Sequence, residues 1–150
     1  MQNKVTIITV TRNDAGKLKK TIDSVVSQTC KNKEYIVIDG GSEDGTHELL
    51  TKYSNVIDGW VSEPDEGIFH AMNKGAQRAT GEWIIFLNSG DLFFNDHVLE
   101  DVLSEAIPAN IDAIYGNTGY AYGEKGYKEF RKGYLCPRQC LGRVVYPLLV

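Results

Sequence analysis

The feature that most constrains the fold of this chain is a regular alternation of short apolar runs with segments of helical spacing. Four runs are apolar or β-branched at nearly every position: KVTIITVT (residues 4–11), EYIVID (34–39), VIDGWVS (56–62) and EWIIFLN (82–88). Such runs are typical of strands buried on both faces, as in a parallel sheet covered by helices. Because parallel strands need crossover connections, the alternation predicts a doubly wound, Rossmann-like α/β fold, with a mostly parallel sheet flanked by helices.

Between and after these runs, apolar residues recur at helical spacing. The first helix is predicted after caps at Asn13 and Asp14, and GTHELLTKY (45–53) predicts the second. A third is predicted to end at Gly81. The predicted buried positions of the first, third and fourth helices are Leu18, Ile22, Val25, Val26 and Thr29; Ile68, Met72, Gly75, Ala76 and Ala79; and Val98, Leu99, Val102, Leu103 and Ile107. DAIYGN (112–117) predicts a fifth strand, and residues 116–134 an irregular hairpin region.

Composition narrows the class of protein. A chain of 150 residues is long enough for one globular unit with a real core. Its net charge of −4 comes without any lysine or arginine run, which argues against nucleic acid as a partner. Three cysteines, Cys30, Cys136 and Cys140, indicate reduced thiols and a cytosolic setting. No secretion signal and no membrane-spanning segment is expected.

Polar residues follow each of the four predicted strands: TRND (11–14), DGGSEDG (39–45), SEPDEG (62–67) and NSGD (88–91). The second has the glycine spacing of a phosphate loop, but Thr46 stands where the phosphate-binding lysine should be. Ligands of open α/β sheets bind beyond the carboxyl ends of the strands, so these ends form the candidate site. An acidic edge suits a ligand whose phosphates are met by a divalent metal. Asp91 and Asn88 offer the hard oxygen donors that Mg²⁺ or Mn²⁺ prefers, and Asp39 could accept from a base N–H or a ribose hydroxyl.

Three stretches in order, VTIITVTRN, IVIDGGSEDGT and SEPDEGIFHAMNKGAQRATGEWIIFLNSGD, resemble the nucleotide-binding half of family 2 glycosyltransferases, in particular bacterial polysaccharide-assembly enzymes. The resemblance covers about residues 4–115. It implies the GT-A fold, a nucleotide-diphosphate-sugar donor, a divalent metal (Mg²⁺ or Mn²⁺), and inverting transfer to an acceptor hydroxyl in cell-surface polysaccharide biosynthesis. Residues 1–115 would form the donor-binding half, and 116–150 the start of an incomplete acceptor-side region.

The resemblance also implies roles for individual residues. Val10, Thr11 and Arg12 would lie along the nucleoside, and Asp39 would bond the base. Asp65 and Gly67 would begin the segment that flanks the sugar and diphosphate, and Asp91 matches the metal-binding aspartate. The acceptor would be a saccharide or a lipid-linked saccharide, with the enzyme cytoplasmic or peripherally associated with the inner face of the cytoplasmic membrane.

Three positions depart from the pattern of the family. Arg12 replaces a frequent aromatic residue, and either stacks its guanidinium on the base or is simply solvated. Gly40 replaces a second acid, which leaves base recognition to Asp39. NSGD leaves Asp91 as the sole carboxylate of the metal motif. Glu124 and Glu129 match no pattern for the catalytic base, so that base is unassigned.

Two other classes of protein compete with a transferase. A non-catalytic or degenerate nucleotide-sugar-binding fragment is the main alternative, and a dehydrogenase or methyltransferase is disfavoured because no G-x-G-x-x-G follows a strand. The remaining residues have ordinary structural explanations: surface positions for His47, His70 and His97, core positions for Trp60 and Trp83, and an exposed helix position for Lys74, although Lys74 could approach a diphosphate.

Overall fold

The computed structural model describes residues 4–104, Ile111 and strand residues 113–115, 119–121, 127–129, 133–135 and 143–146. Its elements are β1 Val5–Thr11, α1 Ala15–Val26, β2 Lys33–Asp39, α2 Thr46–Lys52, β3 Gly59–Ser62, α3 Ile68–Arg78, β4 Trp83–Phe86, α4 Val98–Ser104, β5 Ala113–Tyr115, β6 Gly119–Ala121, β7 Tyr127–Glu129, β8 Gly133–Leu135 and β9 Arg143–Tyr146. The predicted order of strands and helices up to β5 is confirmed.

Seven strands form one sheet in the order β3-β2-β1-β4-β9-β5-β8. All neighbouring pairs are parallel except β5 with β8, and β6 pairs with β7 in a separate antiparallel ribbon. The switch between β1 and β4 is the topological point at which ligands bind in open α/β sheets. The sheet thus confirms the predicted Rossmann-like α/β fold. Strand β9, inserted in parallel between β4 and β5, was not predicted.

Two apolar layers cover the sheet. One joins α1, α2 and α4 to side chains such as Val5, Ile7 and Trp83, while the other packs α3 against Ile8 and Ile38. Alternate residues of the same strand therefore face opposite layers, which explains why the strands read as unbroken apolar runs. Trp83 is fully buried as predicted, whereas Trp60 is only partly buried.

Several local predictions were wrong. Helix α1 ends at Val26, which is 42 % exposed, and Thr29 lies beyond the helix and is exposed; the buried stripe contains Thr21 instead. Ile68 is 50 % exposed at the start of α3. Gly81 does not end α3, which stops at Arg78. A Cβ added to Gly81 would lie 2.6 Å from the backbone nitrogen of Thr6, so glycine is needed at position 81 for close approach to β1. Ile107, Cys136 and Cys140 lie outside the described residues.

The amino end of α1 is closed by a distant residue. Asp14 occupies the N-cap position, but its side chain makes no capping hydrogen bond. Instead Oδ2 of Asp44 accepts the backbone N–H of Ala15 at 2.9 Å, and Oδ1 accepts the hydroxyl of Thr46 at 2.6 Å. A carboxylate near a helix amino end also stabilises the helix dipole. Asp44 therefore ties the loop after β2 to the loop after β1 and has a structural role.

Candidate donor-binding site

A cleft of about 320 Å³ opens at the carboxyl edge of the sheet. It is lined by Val10, Thr11, Arg12, Gly40, Asp65, Gly67, Ile68 and Ala71. Five of the eight predicted site residues, Val10, Thr11, Arg12, Asp65 and Gly67, are thus brought together on its wall. The cleft lies where β1, β2 and the loop after β3 end side by side, because parallel strands place their carboxyl ends at one edge.

The floor of the cleft is polar and partly unpaired. Thr11 is the last residue of β1 and is 8 % exposed, and none of the described residues forms a hydrogen bond with its Oγ1. Its carbonyl accepts the N–H of Gly40 at 2.9 Å, which joins the two strand ends. A buried hydroxyl without a partner is uncommon and marks a place where a ligand can supply the missing bond.

Asp39 ends β2 but is fully buried, and it does not line the cleft. Its carboxylate accepts the hydroxyl and the backbone N–H of Ser42, the latter at 3.1 Å, and the hydroxyl of Ser62 at 2.6 Å. These bonds tie the loop after β2 to the end of β3. Contact of Asp39 with a base stays a prediction, and its present partners are protein groups.

The loop after β3 is held by Lys74 of α3. Lys74 Nζ lies 2.6 Å from Oδ1 of Asp65 and 2.8 Å from a carboxylate oxygen of Glu63, and its side chain is 13 % exposed. The hydrogen bonds that Lys74 donates to these two acids, first to Asp65, raise the pKa of Lys74. The expectation of an exposed helix lysine was therefore wrong. Sequence reasoning missed the pairing, although a lysine nine residues after an acidic turn can reach back to it.

The turn at 88–91 carries the predicted metal residues. The N–H of Asp91 donates to the carbonyl of Asn88 at 2.9 Å, and Gly90 has a positive φ of 97°. The N–H of Ser89 donates to the carbonyl of Val10 at 3.1 Å, so the turn is anchored to the end of β1. Burial raises the pKa of Asp91, and the backbone of Asn88 offsets part of that effect.

The donor atoms of this turn fit a shared metal site rather than a closed protein cage. Among the described residues, no three His, Cys, Asp or Glu side chains are grouped to hold a metal. Within the described part of the chain, Oδ1 of Asn88 is buried without a hydrogen-bond partner, and no lysine or arginine pairs with Asp91. Magnesium and manganese commonly combine one or two carboxylates with phosphate oxygens and water. Asp91 and Asn88 fit that pattern.

A second buried polar residue organises the same turn. Thr21 of α1 is fully buried, donates its hydroxyl to the carbonyl of Asp91 at 3.0 Å and accepts the N–H of Gly90 at 3.0 Å. Sequence reasoning missed it. The available signal was a polar residue one position before Ile22 and three after Leu18, on the apolar face of α1.

The fold and the cleft together define a Rossmann-like α/β domain with an open cleft at the carboxyl edge of its sheet. The family model described as glycosyl transferase family 2 matches residues 6–146. The chain belongs to this family. No helix among the described residues is both long and apolar enough to cross a membrane.

Curated relatives of the chain are also named glycosyltransferases. The chain is 39 % identical over 106 residues to an uncharacterised glycosyltransferase of Mycobacterium tuberculosis, covering 70 % of this chain and 39 % of the relative. It is 33 % identical over 117 residues to a PGL/p-HBAD biosynthesis glycosyltransferase of Mycobacterium bovis, covering 74 % of this chain and 45 % of the relative. The chain thus spans less than half the length of these relatives.

Solved structures confirm the GT-A fold. A mannosyltransferase from Pyrobaculum calidifontis, in complex with GDP-Man and Mn²⁺, superposes with a TM-score of 0.69 at 22 % identity, over 77 % of this chain and 35 % of that one. Staphylococcus aureus TarS in complex with UDP-GlcNAc superposes with a TM-score of 0.60 at 20 % identity, over 73 % of this chain and 38 % of TarS.

Proposed function

We propose that this chain binds a nucleotide-diphosphate-sugar in the cleft and, with a divalent metal at Asp91 and Asn88, serves transfer of the sugar to an acceptor hydroxyl. The observation that carries the proposal is the meeting of Val10, Thr11, Arg12, Asp65 and Gly67 on one cleft wall at the carboxyl edge. The proposal is supported by the family of the chain and by its structural neighbours, which were solved with GDP-Man and UDP-GlcNAc.

Each part of the site has a chemical task in this proposal. Val10, Thr11 and Arg12 contact the nucleoside, and Gly67 with the first turn of α3 borders the diphosphate and sugar. Gly67 has a φ of 122°, and an added Cβ would meet no atom of the described residues within 4 Å, so on that side its backbone is open to a ligand. When bound, Mg²⁺ or Mn²⁺ neutralises negative charge on the diphosphate leaving group. Asp91 and Asn88 hold that ion.

The reaction proposed is inverting: the acceptor oxygen bonds to the anomeric carbon as the bond to the diphosphate breaks. The acceptor proton passes to a carboxylate base, which is not assigned among the described residues. A saccharide or lipid-linked saccharide is the proposed acceptor class, in cell-surface polysaccharide biosynthesis. The name of the Mycobacterium bovis relative, a glycosyltransferase of PGL/p-HBAD biosynthesis, supports a biosynthetic role.

A thermal-shift panel tests donor binding. UDP-, GDP- and dTDP-sugars are added with and without Mn²⁺, and a donor at 100 times its Kd is expected to add about 2.7 kcal/mol to the free energy of unfolding. Calorimetry then compares Asp91→Asn with Asp96→Asn, a matched change at an exposed aspartate in the following loop. Loss of the Mn²⁺-dependent part of the affinity is expected in Asp91→Asn alone. Equal affinity in both variants would refute the metal assignment.

Release of nucleoside diphosphate in the presence of an acceptor separates transfer from binding. Donor binding with Mn²⁺ but without such release would favour the binding fragment over the transferase. If no donor shifts the melting temperature, both the transferase and the binding fragment are contradicted.

A further inference from the structure

The side chain of Arg12 has no anchor among the described residues, whereas the backbone around it is held. Arg12 lines the cleft and is exposed, and no hydrogen bond or ion pair to another described residue holds its guanidinium. On its amino side, the carbonyl of Thr11 accepts the N–H of Gly40 at 2.9 Å. The direction in which Arg12 leaves the chain also depends on the residue on its carboxyl side, which is Asn13.

Asn13 has a left-handed backbone conformation. Its φ is 51°, and among the residues that the structure describes it is the one non-glycine residue with a positive φ. Asparagine is one of the few residues that tolerate this region, because its short polar side chain can form a hydrogen bond that supports it. Asn13 lies between the end of β1 at Thr11 and the start of α1 at Ala15. Its conformation therefore sets the path of the chain directly after Arg12.

Two hydrogen bonds hold Asn13 to the loop after β2. Its backbone N–H donates to Oγ of Ser42 at 2.7 Å, and its Oδ1 accepts the backbone N–H of Glu43 at 2.8 Å. Ser42 is itself anchored, because its hydroxyl donates to the carboxylate of Asp39 at the buried end of β2. The backbone and the amide of Asn13 are thus both bound to residues 29 and 30 positions away along the chain.

We propose, as a deepening of the proposed function on which it rests, that Asn13 is a positioning residue that acts through Arg12. Asn13 does not line the cleft, so it affects the ligand through its neighbour. By tying the chain after Arg12 to the loop after β2, it holds the Arg12 backbone in place before the nucleoside binds. Such preorganisation strengthens binding, because less freedom is lost when the complex forms.

Isothermal titration calorimetry with UDP, GDP and dTDP in the presence of Mn²⁺ tests this on two variants of Asn13. In Asn13→Gly the backbone still tolerates a positive φ but the acceptor of the Glu43 N–H is lost. The Kd should rise about five-fold, the cost of ordering one freed residue on binding. Asn13→Asp keeps an acceptor oxygen and tolerates the same conformation. At high ionic strength, which screens its added charge, its Kd should stay within about two-fold of wild type.

A double-mutant cycle with Arg12→Ala separates positioning from a general effect on the fold. Arg12→Ala alone should raise the Kd about ten-fold, as expected for a lost charged hydrogen bond or stacked guanidinium. In the Arg12→Ala background, Asn13→Gly should change the Kd by less than about two-fold, since the side chain that it positions is gone.

Asn95→Gly is the matched control for loss of an asparagine acceptor. Oδ1 of Asn95 accepts the N–H of His97 at 2.8 Å, and Asn95 is exposed and does not line the cleft. Its Kd for the three nucleotides should equal that of the wild-type chain.

The outcomes are distinct. A weaker Asn13→Gly, its rescue in Asn13→Asp and the disappearance of the effect in the Arg12→Ala background support the assignment. A wild-type Kd in Arg12→Ala or in Asn13→Gly, equal losses in the two Asn13 variants, or an effect of the same size in both backgrounds overturns it and leaves the proposed function standing. If the wild-type chain binds none of the three nucleotides, the proposed function fails and this inference fails with it.

Discussion

Thr21 and Asp91 are separated by 70 residues, yet the hydroxyl of Thr21 donates to the backbone carbonyl of Asp91 at 3.0 Å. The same oxygen accepts the N–H of Gly90, so one buried hydroxyl satisfies two backbone groups of the 88–91 turn. The position of Asp91 is therefore set by α1 as well as by the end of β4. The amino-acid pattern of the turn alone does not contain this constraint.

Thr21→Val tests the constraint with a side chain of similar shape. The valine removes the bond to Asp91 and leaves Gly90 without its acceptor, so the free energy of unfolding should fall by about 1–3 kcal/mol. Urea denaturation at pH 7 measures the change. Thr51→Val is the matched control, because Thr51 is exposed on α2 and its hydroxyl donates to the carbonyl of His47 in the same helix. Its effect should stay within about 0.5 kcal/mol. Equal effects would show that Thr21 does not hold the turn.

Lys74→Gln tests whether the loop after β3 must be fixed for donor binding. Lys74 contacts Glu63 and Asp65, and it donates to the carbonyl of Pro64 at 3.3 Å. Without the ammonium, these three consecutive residues lose their shared anchor on α3. The Kd for UDP and GDP should rise about five-fold or more, since charged hydrogen bonds are the stronger ones. Calorimetry compares this variant with Lys20→Gln at an exposed position of α1, where no change in Kd is expected.

The order of strands and helices could be predicted because periodicity is a local property of the sequence. The meeting of the polar ends at one edge could also be predicted, since parallel strands point the same way. The burial of individual polar groups could not be predicted from the sequence. Asp39 and Asp65 both lie at strand ends and look alike in sequence. Serine partners enclose Asp39, whereas Asp65 faces the cleft.

Long-range pairing explains the remaining errors. Asp44 closes the amino end of α1 in place of Asp14, and this pairing across 29 residues has no local signature. Lys74 folds back onto the 63–65 loop, a pairing at which the short spacing between the acidic turn and the lysine only hints. Strand β9 was missed because its place between β4 and β5 is set by pairing across the sheet. Contacts of this kind become visible only once the chain is folded.

Glu34 gives a prediction for acid conditions. Burial by itself would raise the pKa of Glu34, but hydrogen bonds from Thr6, from Thr80 and from Lys4 outweigh it and lower the pKa to about 2. A carboxyl with a depressed pKa in the folded state stabilises the fold above its unfolded pKa of 4.5, and this stabilisation is lost as the pH falls toward 2.

Glu34→Gln should therefore lower the free energy of unfolding by about 1–2 kcal/mol at pH 7, a figure reduced for the partial solvent exposure of the group. The difference from wild type should shrink steadily between pH 4.5 and pH 2. Denaturation curves at several pH values measure it. A difference that is the same at pH 7 and pH 3 would show that the ionised carboxylate of Glu34 does not stabilise the fold.

Gly75 and Gly16 offer a matched pair for the packing of α3 against the sheet. A Cβ at Gly75 would lie 2.4 Å from Cγ2 of Ile8, so α3 sits on β1 with no room for a methyl group. Gly75→Ala should destabilise the fold by about 1–3 kcal/mol through overpacking, despite the better helix propensity of alanine. The methyl group of Gly16→Ala would meet no atom of the described residues within 4 Å, and this change should stabilise α1 by up to about 1 kcal/mol.

Because α3 also supplies Ile68 and Ala71 to the cleft, Gly75→Ala should weaken nucleotide binding, whereas Gly16→Ala should not. Denaturation and calorimetry on the two variants measure both effects, and stabilisation by Gly75→Ala would contradict the close contact with Ile8.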